Sequence, residues 1–326
     1  MELVFLGTGA GLPALGRNVA STALNLSAEH GVIWLFDAGE ATQHQMARAG
    51  LSLHRVTRVF VTHLHGDHLL GLPGLMASRS FQGDAGPLQL YGPPGLAEYV
   101  ETTLRLTASH LTYPVDIQEV ADEQTLACDD GWTVSVRLLD HVIASFGYRL
   151  VEPDRPGALQ VDKLTALGLP PGPEYARLKR GLTVELSDGR VIDGRDVLGP
   201  AQSGRVVALT GDTRACAATV RLAEAADVLV HEATYAAAQA DLAETFGHTT
   251  TEQAARIGLE AGVAQLLLTH ISQRYATDDL ACLEAEARQV LPATLVMHDL
   301  QTVPVKRRGT VAESASLFPA GPVPRG

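Results

Sequence analysis

Val59-Phe60-Val61-Thr62-His63-Leu64-His65-Gly66-Asp67-His68 decides how this chain folds. Val59–Thr62 reads as a buried strand, and three histidines and an aspartate follow it directly. Residues two apart on an extended chain point to the same side, so His63 and His65 can share one metal ion. Gly66 permits a sharp turn, which offers Asp67 and His68 to a second ion beside the first. A chance surface cluster is the competing reading, and the buried run ahead of the motif weighs against it.

One motif supplies too few ligands for two ions, since zinc takes about four, with one position left open in a catalytic site. The other ligands are expected at strand ends, where α/β folds gather their active sites. Short apolar runs at Ile33–Asp37, Val59–Thr62, Leu88–Tyr91, Thr133–Leu139, Val206–Thr210, Val228–Val230 and Leu266–Thr269 read as buried strands. His141, Asp212 and His270 lie just beyond three of them. Taken singly, Asp212 would more often be a helix N-cap, and His141 or His270 more often an ordinary polar loop residue. Their shared placement favours ligands, with the Asp212 carboxylate able to bridge two ions.

Between the strands, Glu40–Ala49, Leu96–Leu106, Thr213–Ala226, Thr250–Ala261 and Asp278–Val290 read as helices, and Thr250 with Glu252 and Gln253 reads as a capped start. The alternation predicts an α/β fold with helices covering sheets. Residues 1–304 read as the catalytic domain. From 151 to 204 the pattern breaks: Pro153, Pro156, Pro170, Pro171, Pro173 and Pro200 accompany many glycines and a hairpin around Ser187-Asp188-Gly189. The segment reads as an excursion from the core, with a disordered linker as the alternative. Residues 305–326 lack periodicity and are expected to be a mobile tail.

The 326 residues are 46% hydrophobic and 19% charged, a globular composition. A net charge of −12 excludes nucleic-acid binding through overall positive potential, so any RNA site must be a local patch. Cys128, Cys216 and Cys282 are odd in number and far apart, which points away from a disulfide framework or cysteine zinc site and fits a reducing cytoplasm. The opening Met1-Glu2-Leu3-Val4-Phe5-Leu6-Gly7 lacks a basic leader and reads as a first strand, so no export or membrane anchoring is expected.

His-x-His-x-Asp-His with a later His, Thr-Gly-Asp and Thr-His resembles the ligand set of the metallo-β-lactamase superfamily, an αββα sandwich of two sheets flanked by helices. Within it the chain is similar to the ribonuclease Z family. The similarity runs through Phe5-Leu6-Gly7-Thr8-Gly9-Ala10-Gly11 with Pro13 and Arg17-Asn18, Phe36-Asp37-Ala38-Gly39-Glu40, Leu70-Gly71-Leu72-Pro73-Gly74-Leu75 and Tyr91-Gly92-Pro93-Pro94-Gly95. It implies two Zn²⁺ per subunit, with Mn²⁺ or Fe²⁺ as alternatives. It places His63, His65 and His141 on one ion, Asp67, His68 and His270 on the other, and Asp212 between them. His231-Glu232-Ala233-Thr234-Tyr235 and Gly247-His248-Thr249-Thr250 resemble motifs in which the histidine, oriented by the glutamate, protonates the leaving oxygen, so Asp67, His248 and Glu232 are the implied catalytic residues.

The resemblance also gives the excursion a meaning. Pro170-Pro171-Gly172-Pro173-Glu174-Tyr175 with Arg177, Lys179 and Arg180 resembles the arm that grips the body of tRNA, and Arg17, Asn18 and Arg274 are further implied RNA contacts. The implied activity is removal of the 3′ trailer from precursor tRNA by a cytoplasmic homodimer, with no DNA or membrane partner expected. Another phosphodiesterase of the same fold, acting on small or other nucleic-acid phosphodiesters, and a non-catalytic RNA-binding protein are the competing readings. Two positions depart from the family pattern: Leu15 stands where many relatives have lysine, which bears on how a CCA end is sensed, and Ala38 stands where cysteine is usual.

Overall fold

The computed structural model describes residues 1–83, 85–128 and 131–307. They divide into two compact units. The first comprises Met1–Cys128, Thr133–Leu150 and Val206–Lys306; the described residues of the second are 131–132, Val151–Arg205 and Arg307.

Two seven-stranded sheets form the first unit. One runs in the order Thr302–Pro304, Glu2–Gly7, Ser21–Leu26, Val32–Phe36, Val56–Phe60, Leu88–Gly92, Val115–Glu119. The other runs Thr294–Val296, Leu266–Thr269, Val228–Glu232, Val206–Leu209, Ser145–Val151, Thr133–Leu139, Thr125–Ala127. Between the sheets, the Tyr148 ring lies 5.2 Å from Phe60 and 6.2 Å from Phe36, and its hydroxyl donates to the Val61 carbonyl at 2.7 Å. Each outer face buries a second apolar cluster under helices. Leu35, Val59 and Leu90 pack with Met46, Leu72, Met76, Leu96 and Val100 on one side; Leu229, Leu266 and Leu268 pack with Leu222, Ala254, Ile257, Leu283 and Ala287 on the other. This is the αββα sandwich, in which helix and sheet each hide one apolar face.

The element ends are set by tertiary hydrogen bonds that the sequence pattern does not reveal. The strand expected at Val59–Thr62 is Val56–Phe60, because the Thr62 amide turns to the Asp37 carboxylate at 2.7 Å. The helix expected from Thr213 begins only at Ala217: the Thr213 amide donates to Glu232 at 3.0 Å and the Arg214 amide to the Asp140 carbonyl at 2.7 Å. Asp212 is therefore not a helix cap. Where no such competitor intervenes, local signals hold, and Thr250 and Gln253 form a reciprocal capping box ahead of Thr251–Glu260. Ser21–Leu26 and Ser145–Val151 are strands absent from the expected set.

The 151–205 segment of the second unit is folded. It carries the helices Val161–Ala166 and Glu174–Lys179 and the hairpin Thr183–Glu185 with Val191–Asp193. Leu164, Leu169, Leu178, Val184, Ile192 and Val197 make a small core of their own. At its root the buried Glu152 carboxylate accepts from Arg205 at 2.8 Å, Arg155 at 2.8 Å and Arg307 at 2.7 Å. Of the tail expected from 305, Val305 is buried and its amide donates to the Met1 carbonyl at 3.3 Å, while 308–326 lie outside the described residues. Among the described residues no helix is long and apolar enough to cross a membrane.

Candidate metal centre

All seven expected ligands meet at one edge of the first unit. Parallel pairing among Val206–Leu209, Val228–Glu232 and Leu266–Thr269 brings Asp212, Glu232 and His270 out at the same strand ends. Ligand atoms of His63, His65, His141 and Asp212 lie within 4.8 Å of one another, and so do those of Asp67, His68 and His270. Asp212 faces both groups. Its carboxylate stands 3.6 Å from His63 Nε2, 3.4 Å from His68 Nε2 and 3.3 Å from His270 Nε2. His270 is held at a positive φ of 57°, a strained backbone for a non-glycine residue, and Asp37 at 59°.

The far nitrogens decide what the near ones can do. His141 Nδ1 donates to the Gly247 carbonyl at 2.7 Å, and His68 Nδ1 donates to the Asp37 carboxylate at 2.7 Å, since neither oxygen can donate. The Thr62 hydroxyl gives its hydrogen to Asp37 at 2.9 Å and so accepts from His63 Nδ1 at 3.0 Å. The Thr234 hydroxyl likewise donates to Glu232 at 2.8 Å and accepts from His270 Nδ1 at 2.9 Å. Rings so anchored through Nδ1 turn four Nε2 atoms inward. His68 Nε2 and His270 Nε2 are 3.1 Å apart, and His63 Nε2 is 3.1 Å from His65 Nδ1, distances that require a proton or a metal ion between each facing pair. Outer partners that fix the tautomer of a ligand, as at His63, His68, His141 and His270, are the mark of a metal site.

Charge gives the same answer. Asp37, Asp67, Asp212 and Glu232 are buried or nearly so, and among the described residues their ion pairs are with histidines, none with lysine or arginine. Four carboxylates in such surroundings demand positive charge. Burial alone would raise the Asp212 carboxyl, but the charges of His270, His68 and His63 outweigh it and hold it well below its ordinary value. Burial opposes and the His270 hydrogen bond and the His68 charge prevail at Asp67, which also lies far below the carboxylate range. Burial lowers His63, His65 and His141, keeping them neutral as ligands must be. His68 is burdened by burial yet lifted well above its usual value by Asp212 and Asp37, so the carboxylates call for a positive charge at its Nε2, proton or metal. The residues present fit a divalent metal centre.

Beside the cage, His248 Nδ1 lies 3.0 Å from Glu232 Oε1. Glu232 also accepts from the Thr213 amide, the Thr234 amide and the Thr234 hydroxyl, which fixes the carboxylate in place. Burial disfavours charge on His248, but the Glu232 bond and charge override it and raise its pKa to about 9. The Gly11 amide donates to Asp67 Oδ2 at 2.7 Å.

The expected RNA contacts are placed differently from one another. Arg274 is exposed, its guanidinium 5.0 Å above the Tyr235 ring, and Tyr235 lies 6.0 Å from His248. Arg17 donates to the Thr8 carbonyl at 3.3 Å and the Met297 carbonyl at 2.9 Å, and Asn18 donates to the Glu40 carbonyl at 2.8 Å, so both side chains brace the loop that carries them. In the second unit Arg177 and Arg180 are exposed, whereas Lys179 turns its ammonium onto the Pro156 carbonyl at 3.1 Å. Asp37 and Thr234 carry no expected role, yet they orient His63, His68 and His270. Asp37 ends a strand like the ligands, which is the signal that could have found it; Thr234 offers none.

Comparison with known proteins adds the family. A family model described as anti-Pycsar protein Apyc1 matches residues 1–149. Ribonuclease Z of Bacillus cereus (strain AH187) is 49% identical over 307 residues, 94% of this chain and 100% of the relative, and ribonuclease Z of Bacillus thuringiensis (strain Al Hakam) is 49% identical over the same span. The crystal structure of the short form of human tRNase Z matches with a TM-score of 0.67 at 28% identity, over 94% of this chain and 100% of that one. The metallo-β-lactamase fold protein YhfI from Bacillus subtilis matches with a TM-score of 0.65 at 18% identity, over 93% and 99%, a likeness of fold alone. With nearly half its residues shared across almost the full length, this chain belongs to the ribonuclease Z family, built on the metallo-β-lactamase fold.

Proposed function

We propose that this chain is an endoribonuclease that removes the 3′ trailer from precursor tRNA, using two divalent ions, zinc in the first instance. One observation carries the reading: a chain 49% identical to ribonuclease Z relatives keeps both ligand groups and an ion-paired histidine at one strand edge. His63, His65 and His141 would hold one ion, Asp67, His68 and His270 the other, with Asp212 between them. Ions bound there supply water acidic enough to attack at neutral pH and positive charge beside the phosphoryl oxygens.

The chain's own groups do the rest. Asp67, oriented by the Gly11 amide, takes the proton that the attacking water loses. The water oxygen bonds to phosphorus and the bond to the 3′-oxygen breaks. A ribose 3′-oxygen is a poor leaving group as an alkoxide, and His248 Nε2 delivers the proton it needs while Glu232 holds the ring through Nδ1. The products are a tRNA 3′-hydroxyl and a trailer 5′-phosphate. The 2′-hydroxyl takes no part.

The 151–204 segment acts as the arm that grips tRNA, through Arg177 and Arg180, which are its exposed members of the basic cluster. Arg274 meets phosphate near the centre. A cytoplasmic homodimer is the working state; the three free cysteines fit a reducing compartment. Incubating the purified protein with a labelled precursor tRNA, with and without a chelator, tests the proposal. Cleavage at the trailer junction that disappears with chelator and returns with Zn²⁺ is expected. Cleavage that leaves a 2′,3′-cyclic phosphate, or hydrolysis of small phosphodiesters with none of tRNA, would reject it.

A further inference from the structure

Arg214 stands two residues beyond Asp212, outside the metal cage and with no part in the chemistry above. Its side chain joins two separate pieces of the site. Nη1 donates to the Asp140 carboxylate at 3.1 Å, and its own backbone amide donates to the Asp140 carbonyl at 2.7 Å, directly ahead of His141. Nε donates to the Glu244 carbonyl at 2.8 Å and lies 3.3 Å from the Glu244 carboxylate. Glu244 sits in the last turn of the helix Ala240–Phe246, which ends at Gly247 and delivers His248. A guanidinium on a terminal carbonyl satisfies an orphan acceptor and favours the negative helix end.

The same short segment makes two further ties. The Thr249 hydroxyl donates to the Thr213 carbonyl at 2.6 Å, and the Asp140 amide donates to the Thr213 hydroxyl at 3.2 Å. Residues 213–214 therefore clasp the turn before His141 to the helix end before His248. The Glu232 bond fixes the direction of the His248 ring, but not the position of the backbone that carries it.

We propose that Arg214 is a positioning residue for the proton donor: by clamping the Asp140 turn to the end of the Ala240–Phe246 helix, it fixes the distance at which His248 meets the leaving oxygen. The inference rests on the reading of His248 as the proton donor. A misplacement of about 1 Å costs on the order of a hundredfold in rate, and proton donation itself contributes about a hundredfold or more, so loosening without removal should cost about tenfold.

The test compares leaving groups. Arg214→Gln, Arg214→Lys and His248→Ala are assayed in the metal-loaded full chain on precursor tRNA, whose leaving group is a ribose 3′-oxygen. They are also assayed on aryl phosphodiesters of graded phenol acidity ending at bis(p-nitrophenyl) phosphate, whose phenolate leaves without a proton. Bound metal and melting temperature are measured alongside. Arg214→Gln should lower kcat about tenfold on precursor tRNA with KM within twofold, spare bis(p-nitrophenyl) phosphate, keep its metal, and add nothing in the His248→Ala background. Arg214→Lys, which keeps the charge but not the fork, should fall between. An equal loss across all leaving groups, a loss of metal, or a full additive effect on top of His248→Ala overturns the inference. If His248→Ala itself slows every leaving group alike, the reading of the donor falls first; if only precursor tRNA goes uncut by the unmodified protein, the substrate reading falls while the aryl series still judges Arg214.

Discussion

Replacing Asp37 by asparagine isolates the outer hydrogen bonds of the centre without removing a ligand. Asp37 Oδ1 accepts from the Thr62 amide at 2.7 Å, while Oδ2 accepts from the Thr62 hydroxyl at 2.9 Å and from His68 Nδ1 at 2.7 Å. An asparagine can keep its oxygen on the amide, but its NH₂ then meets two groups that are themselves donors. His68 escapes the clash by moving its proton to Nε2, the nitrogen that must carry the lone pair. Loss of such an outer partner costs about 10- to 100-fold in metal affinity, or about 1.4–2.8 kcal/mol. Competition against a chromophoric chelator reads this directly, and far-ultraviolet circular dichroism checks that the fold persists. Asp37→Asn should also need more Zn²⁺ to reach half-maximal hydrolysis of bis(p-nitrophenyl) phosphate. Affinity within twofold of the unmodified protein would refute the argument that Asp37 sets the His68 tautomer.

Four other perturbations separate roles that share the same scaffold. Gly247 has φ +79° and a Cβ there would lie 2.8 Å from His141 Nδ1, so Gly247→Ala should weaken metal binding and cleavage; Gly50→Ala, at φ +68° with open space around it, should cost about 1 kcal/mol of stability and leave activity unchanged. Arg177→Glu combined with Arg180→Glu should raise KM for precursor tRNA and flatten its salt dependence while sparing bis(p-nitrophenyl) phosphate, and an unchanged salt slope would count against the arm. Burial opposes charge on Glu152, but the hydrogen bonds and charge of Arg205, with that of Arg307, bring its pKa down to about 2 from the ordinary 4.5. A depressed carboxyl stabilises the fold above its unfolded pKa and loses that contribution as pH falls through the folded one. The melting difference between the unmodified protein and Glu152→Gln should therefore be full at neutral pH, shrink below about pH 4.5 and vanish near pH 2; a constant difference would exclude ionisation as its source.

The local chemistry of this protein is written in its sequence. A buried strand followed by His63, His65, Asp67 and His68 fixes a metal motif because alternation on an extended backbone and a glycine turn are short-range effects. His141, Asp212 and His270 are legible for a related reason, since strand ends are marked by the residues that stop the apolar run. The capping box at Thr250 and Gln253 is equally local. The tertiary structure alone decides which atoms face one another. Arg17 and Lys179 look like free cations in the sequence, yet each is drawn onto backbone carbonyls that only the folded chain brings near. Thr213 and Arg214 leave the expected helix because Glu232 and Asp140, far away in sequence, compete for their amides. His68 and His270 are 202 positions apart and their nitrogens 3.1 Å. Periodicity records burial and backbone direction; it carries no information about a hydrogen-bond partner supplied by a distant segment, and in this centre such partners set which nitrogen of His68, His141 and His270 is free to bind.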